Sequence, residues 1–164
     1  MSNPEEVPVY FLNPGELIFS KKPVTIRTVL GSCVAVTIYD KINKFGGMVH
    51  YLLPNSSNRE VSTKYGDVAV PTLINKFIQA GSKKQSLEAT IIGGAFIIFD
   101  ESEVFFIGDR NIETAQQILK QNEIRVVSTN TGGEHGRRVI FNMLTNKIEI
   151  SLIERMGIDD LYNK

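Results

Sequence analysis

The chain has 164 residues, with 18 lysines and arginines balanced by 18 aspartates and glutamates, and a single cysteine. That length suits one domain, residues 1–164, with a sizeable core, and the balanced charge gives no bias toward polyanions, which argues against nucleic acid as a partner. A lone cysteine excludes an intrachain disulfide and suits a reducing interior. The polar, acidic opening Met1-Ser2-Asn3-Pro4-Glu5-Glu6 is unlike a signal peptide, and the longest strongly apolar stretch, Ala89 to Phe99, is too short to span a bilayer, so the expectation is a cytoplasmic protein without membrane insertion.

Val9 to Leu12 and Glu16 to Phe19 read as short strands around the turn Asn13-Pro14-Gly15, and Val24 to Leu30 as a further strand leading into Gly31-Ser32-Cys33. Val34, Val36 and Ile38 then alternate with Ala35, Thr37 and Tyr39, a period-two strand pattern. Asp40 to Asn43 is turn-prone and Val49 to Leu53 supplies a second apolar run, which together predict an antiparallel hairpin. A turn centred on Lys41-Ile42 sets Cys33 directly opposite His50, where paired Cβ atoms lie roughly 4.5–5.5 Å apart. A register shift of two residues keeps the pair on one face, and a shift of one separates them. A thiol beside an imidazole is the minimum equipment for nucleophilic catalysis. Gly31-Ser32 also allows the backbone amides around Ser32 and Cys33 to stay free as oxyanion donors. A small buried cysteine and a satisfied sheet histidine fit the same residues, so the residues alone leave both readings open.

Asn55 to Glu60 has loop composition. A helix is expected from a cap near Asp67 to Ala80, with Val70, Leu73, Ile74, Phe77 and Ile78 forming one apolar stripe and Gly81 ending it. Leu87 to Ile92 reads as a buried strand. Gly93-Gly94 after it lacks the Lys-Ser/Thr of a phosphate loop and reads as close packing. Phe96 to Phe99 and Val104 to Ile107 flank a turn at 100–103, a second predicted hairpin. Asn111 is expected to cap a helix carrying Ile112, Ala115, Ile118 and Leu119 on one side. Ile124 to Ser128, Arg138 to Met143 and Lys147 to Ile153 complete the strands, with Thr145-Asn146 as a turn. Thr131 to Arg138, with the second histidine, His135, reads as a solvated loop. The tail after Gly157 is expected to fray. No histidine or cysteine has metal-ligand spacing, so neither zinc nor another cofactor is expected. The element pattern predicts a layered α/β fold with a mixed sheet and helices outside it.

Leu30-Gly31-Ser32-Cys33-Val34-Ala35-Val36, followed by Gly46-Gly47-Met48-Val49-His50 and Leu53-Pro54, resembles the signature of CheD, the chemoreceptor glutamine deamidase family. The resemblance continues through Lys64-Tyr65-Gly66-Asp67, Ile92-Gly93-Gly94-Ala95, Ile107-Gly108-Asp109-Arg110-Asn111 and Thr131-Gly132-Gly133. It implies an α/β layered sandwich with a mixed β-sheet core and flanking helices, similar to the catalytic domain of cytotoxic necrotizing factor toxins. It also implies hydrolysis of chemoreceptor glutamine side chains to glutamate, with Cys33 as nucleophile and His50 as general base. The family's third catalytic position is a threonine shortly before the cysteine, six residues upstream in some members. Here that offset falls on Arg27, with Thr28 one residue later and Thr25 earlier; Thr28 is the choice, for a hydroxyl able to orient the His50 ring, although the opposite strand parity would turn it away. The implied partners are chemoreceptor cytoplasmic domains and the CheC phosphatase. A cysteine peptidase and a catalytically silent CheC-binding adaptor are the rival readings.

Overall fold

The computed structural model describes residues 6–56, 58, 60–97 and 106–154. Its strands sort into two sheets. β2 (Leu17–Ser20), β4 (Val34–Asp40), β5 (Gly46–Tyr51), β6 (Leu87–Gly93) and β7 (Arg125–Thr131) form a mixed sheet in the order β2-β5-β4-β6-β7. β1 (Val9–Phe11), β3 (Thr25–Leu30), β8 (Gly136–Asn142) and β9 (Lys147–Ile153) form a second, in the order β1-β3-β8-β9. Both helices, α1 (Gly66–Gln79) and α2 (Ile107–Gln121), pack on the first sheet. The mixed sheet with helices outside it is as the sequence suggested, and the described strands add a second sheet. The second sheet occupies the other face and makes the molecule three layers deep.

Alternation along the central strands sorts their side chains between these layers. Val34, Val36 and Ile38 of β4, with Val49 and Tyr51 of β5, face Leu73, Ile74 and Phe77 of α1 and Leu119 of α2. Cys33, Ala35, Tyr39 and Met48 face the other way, onto Ile26 and Leu30 of β3 and Val139 and Phe141 of β8. A strand buried on both faces reads as a nearly continuous apolar run, as β4 does. Within the α1 stripe Ile78 is an exception: it is 40% exposed, at the edge of the packed face.

The hairpin register differs from the expected one by two residues. Ala35 pairs with His50 and Tyr39 with Gly46, so Cys33 sits diagonally from His50 rather than opposite it. The cause lies in the turn. The Asp40 carboxylate accepts the N–H groups of Ile42 at 2.9 Å and Asn43 at 3.1 Å, and Lys44 takes a left-handed φ of 64°. The loop therefore runs over five residues, Lys41 to Phe45, closed by Asp40 N–H donating to the Phe45 carbonyl at 2.8 Å. Because the shift is even, Cys33 and His50 keep a common face.

Two further expectations change. α2 begins at Ile107 with Phe106 as its cap residue, so Asn111 lies inside the helix and does not cap it. The segment from Thr131 to Arg138 is not a free loop, because β7 runs to Thr131, β8 starts at Gly136, and Arg137 is buried. The Arg137 guanidinium donates to Asn130 Oδ1 at 2.8 Å and the Gly132 carbonyl at 2.9 Å, which organises the connection. The hairpin expected across 96–107 falls largely on 98–105, and the tail on 155–164, both outside the described residues.

Candidate active site

The segment Gly31-Ser32-Cys33 joins β3 of one sheet to β4 of the other, and each of its three carbonyls is tied down. Gly31 O accepts from Ala95 N–H at 3.0 Å and Cys33 O from Gly94 N–H at 2.8 Å. Ser32 O accepts from Asn111 Nδ2 at 3.0 Å. Gly93 makes the close approach possible: it has a φ of +106°, and a Cβ there would stand 2.4 Å from the Cys33 carbonyl oxygen. The glycine pair is thus close packing, as the sequence suggests. With its carbonyls turned into the protein, the segment leaves its amides as the unengaged side. Among the described residues the Ser32 and Cys33 N–H groups donate to no backbone carbonyl.

Thr28 lies on β3 between Ile26 and Leu30 in the inward-facing set, and is almost wholly buried, while Arg27 points out. Strand parity alone separates the two, and it turns the threonine across the inter-sheet layer to His50. Thr28 Oγ1 stands 2.8 Å from His50 Nδ1 and donates its single proton to the Leu12 carbonyl at 2.7 Å. A hydroxyl whose proton is committed can only accept from the ring, so Nδ1 carries the hydrogen of the neutral imidazole and Nε2 holds a lone pair. Nε2 is buried and has no hydrogen-bond partner among the described residues. The structure thus brings Thr28 and His50 into contact and sets Cys33 on the same face, with no hydrogen bond between thiol and ring.

Burial governs the charges. It pushes the Cys33 thiol up to about 12, opposed in smaller part by the residue's own backbone N–H. It pushes His50 down to about 4, opposed by the Leu12 carbonyl. Both shifts favour the uncharged forms, thiol and neutral imidazole, at neutral pH. Such a pair works by moving the proton from sulfur to Nε2 as attack proceeds.

Sequence reasoning missed the part that Asn111 plays. Its side chain is buried, donates to both Ser32 O at 3.0 Å and Leu52 O at 2.9 Å, and leaves Oδ1 without a partner among the described residues. The signal was present: Asn111 precedes Ala115, Ile118 and Leu119 on the apolar stripe of α2, where an amide is out of place. His135, by contrast, is exposed and lies outside this group.

Comparison with known proteins matches the chain to one family. A family model described as "CheD chemotactic sensory transduction" matches residues 52–152. A protein of Anaeromyxobacter dehalogenans described as "Probable chemoreceptor glutamine deamidase CheD 1" is 39% identical over 133 residues, 81% of this chain and 78% of that protein. Proteins described as "Probable chemoreceptor glutamine deamidase CheD" from Trichlorobacter lovleyi and Methanococcus vannielii are 38% and 37% identical, covering 90% and 83% of this chain and 94% and 90% of theirs. Among solved structures, the Bacillus licheniformis hypothetical protein YfiH superposes with a TM-score of 0.51 at 14% identity, over 70% of this chain and 49% of that one. The chain thus spans about half of that protein, and the likeness is one of fold.

Proposed function

The chain belongs to the CheD family, and from that premise we propose that it hydrolyses glutamine side chains of chemoreceptors to glutamate, with Cys33 as nucleophile, His50 as base and Thr28 as the residue that orients the ring. The observation that carries the reading is the committed Thr28 proton, because it fixes the imidazole tautomer with an empty Nε2 on the face of the only cysteine. In the forward step the sulfur attacks the side-chain amide carbon while its proton passes to Nε2. The oxyanion forms beside the Ser32 and Cys33 amides. His50 returns the proton to the departing nitrogen, and ammonia leaves a thioester. Water, deprotonated by Nε2, then attacks the thioester, and the carbonyl re-forms with expulsion of the Cys33 sulfur, which regains its proton. The net change is one water consumed, one ammonia released and one new carboxyl group.

The substrate segment is the cytoplasmic part of a receptor, which places the enzyme in the cytoplasm; no helix among the described residues is long and apolar enough to cross a membrane. CheC binding, and a kinship of fold with the cytotoxic necrotizing factor catalytic domain, belong to the same reading. The test is incubation with a receptor cytoplasmic fragment, followed by intact mass and peptide mapping. Deamidation adds about one dalton and one negative charge per site, since glutamate is ionised at neutral pH. Two backbone fragments without mass-shifted glutamines would transfer the protein to the peptidase class.

A further inference from the structure

Asn111 belongs to the helix layer, yet its amide reaches both strands of the hairpin at its open end. One Nδ2 hydrogen goes to the carbonyl just before Cys33 and the other to the carbonyl two residues after His50. Both partners are acceptors only, which fixes the orientation of the amide and leaves Oδ1 buried and, among the described residues, unpaired. Tyr51 Oη, in turn, donates to the Asn111 carbonyl and anchors this turn of α2 to β5.

The consequence for Cys33 follows from peptide geometry. No described peptide bond is cis, and in a trans peptide the C=O of one residue and the N–H of the next point in opposite directions. Drawing the Ser32 carbonyl toward α2 therefore turns the Cys33 N–H to the opposite side, the side on which the thiol lies in the inter-sheet layer. Among the described residues the Cys33 N–H donates to no backbone carbonyl. A carbonyl carbon bonded to that sulfur brings its oxygen within reach of the same N–H. We infer that Asn111 is the positioning residue of the oxyanion site: by holding the Ser32 carbonyl it aims the Cys33 amide at the oxygen that becomes charged, without itself meeting the substrate. An apolar side chain would fill the same volume with no orphaned oxygen, so what the amide contributes there is its two donors.

This inference rests on the deamidase reading, and its test separates the two. Asn111→Ala and Asn111→Ser are compared with the wild type for receptor deamidation, thermal melting and the rate at which iodoacetamide alkylates Cys33 at pH 9. Alkylation places no charge on a carbonyl oxygen and needs no oxyanion donor. The expected result is kcat lower by about 10²-fold, the scale of one lost oxyanion donor, with KM for the receptor fragment unchanged. Alkylation should stay within about two-fold of wild type, because thiol and imidazole are untouched. Serine, with one short donor, should recover part of kcat. Folded variants with wild-type kcat would overturn the inference, as would alkylation changing in step with kcat, which would mean that the thiol itself had moved. Failure of both variants to fold would also overturn it, assigning the amide to stability alone. A wild type that leaves the receptor unmodified would overturn the deamidase reading, and this inference with it. An active wild type with equally active variants would remove this inference only.

Discussion

The two ends of the β4–β5 hairpin are buried alike and finished in opposite ways. At the turn end the Asp40 carboxylate has no exposed surface and receives four donors: the Ile42 and Asn43 amides, Asn43 Nδ2 and Ser82 Oγ. Burial pushes its carboxyl up, but the hydrogen bonds, Ser82 foremost, outweigh it and hold the group below its ordinary range. At the other end the His50 ring is just as deep and one nitrogen is left over, while the cysteine beside it is held neutral. A satisfied buried polar group sets structure: Asp40 determines the loop and hence the register. An unsatisfied one costs stability and is retained where chemistry needs an empty lone pair.

The largest expected effect is at the open end. Cys33→Ala should abolish deamidation, with a loss of at least about 10⁴-fold, and leave the melting transition nearly in place. His50→Ala should be almost as damaging, and the double variant no worse than either single one, because groups acting in one step fail together. Additive losses in the measured kcat/KM would separate the two residues mechanistically.

The closed end should answer in stability. Asp40→Ala leaves Ser82, Asn43 and two loop amides without their acceptor and should cost roughly 3–5 kcal/mol in denaturant unfolding. The remaining folded protein should keep its kcat. A loss of catalysis at full stability would contradict the division of labour between the two ends.

The pH dependence of stability should tell the ends apart. The folded His50 takes up its proton only near pH 4, and the unfolded chain does so near 6.5. Its contribution is therefore complete above pH 6.5 and declines as pH falls through that window, by on the order of 3 kcal/mol in all. Asp40, whose folded carboxyl titrates below its ordinary 3.8, loses its contribution only under more acid conditions. Denaturant melts of His50→Ala should lack the slope between pH 6.5 and 4 and keep the acid loss below it. On the alkaline side, the raised Cys33 value means stability is lost as pH climbs above 9, and Cys33→Ala should remove that decline.

The smallest effect is expected at Thr28. Thr28→Val keeps shape and burial but removes the oxygen that receives Nδ1–H, which frees the ring to choose the other tautomer. A loss of about 10–100-fold in kcat is expected, with KM unchanged, and Thr28→Ser should restore most of it. Wild-type kcat in the valine variant would show that packing alone holds the ring.

Cys33, His50 and the strands that carry them were legible because the side-chain period of a strand is two. The five-residue loop that Asp40 organises moved the register by an even number, and an even shift leaves every residue on its face. Parity also placed Thr28 inward and Arg27 outward once β3 was a strand. The helix that supplies Asn111 was visible as a stripe, but its start was misplaced because Phe106, which occupies the cap, has no side-chain capping bond to advertise it. What the sequence could not contain is anything set by the layer laid across these strands. Asn111 meets carbonyls 79 and 59 residues away in the chain, and Arg137 acquires its role only where β7, β8 and the Gly93 turn converge. The charges of the reacting pair were out of reach for the same reason. A free thiol is already a weaker acid than imidazolium, and only burial between the layers, by removing water from both groups, widens that gap to about 12 against about 4.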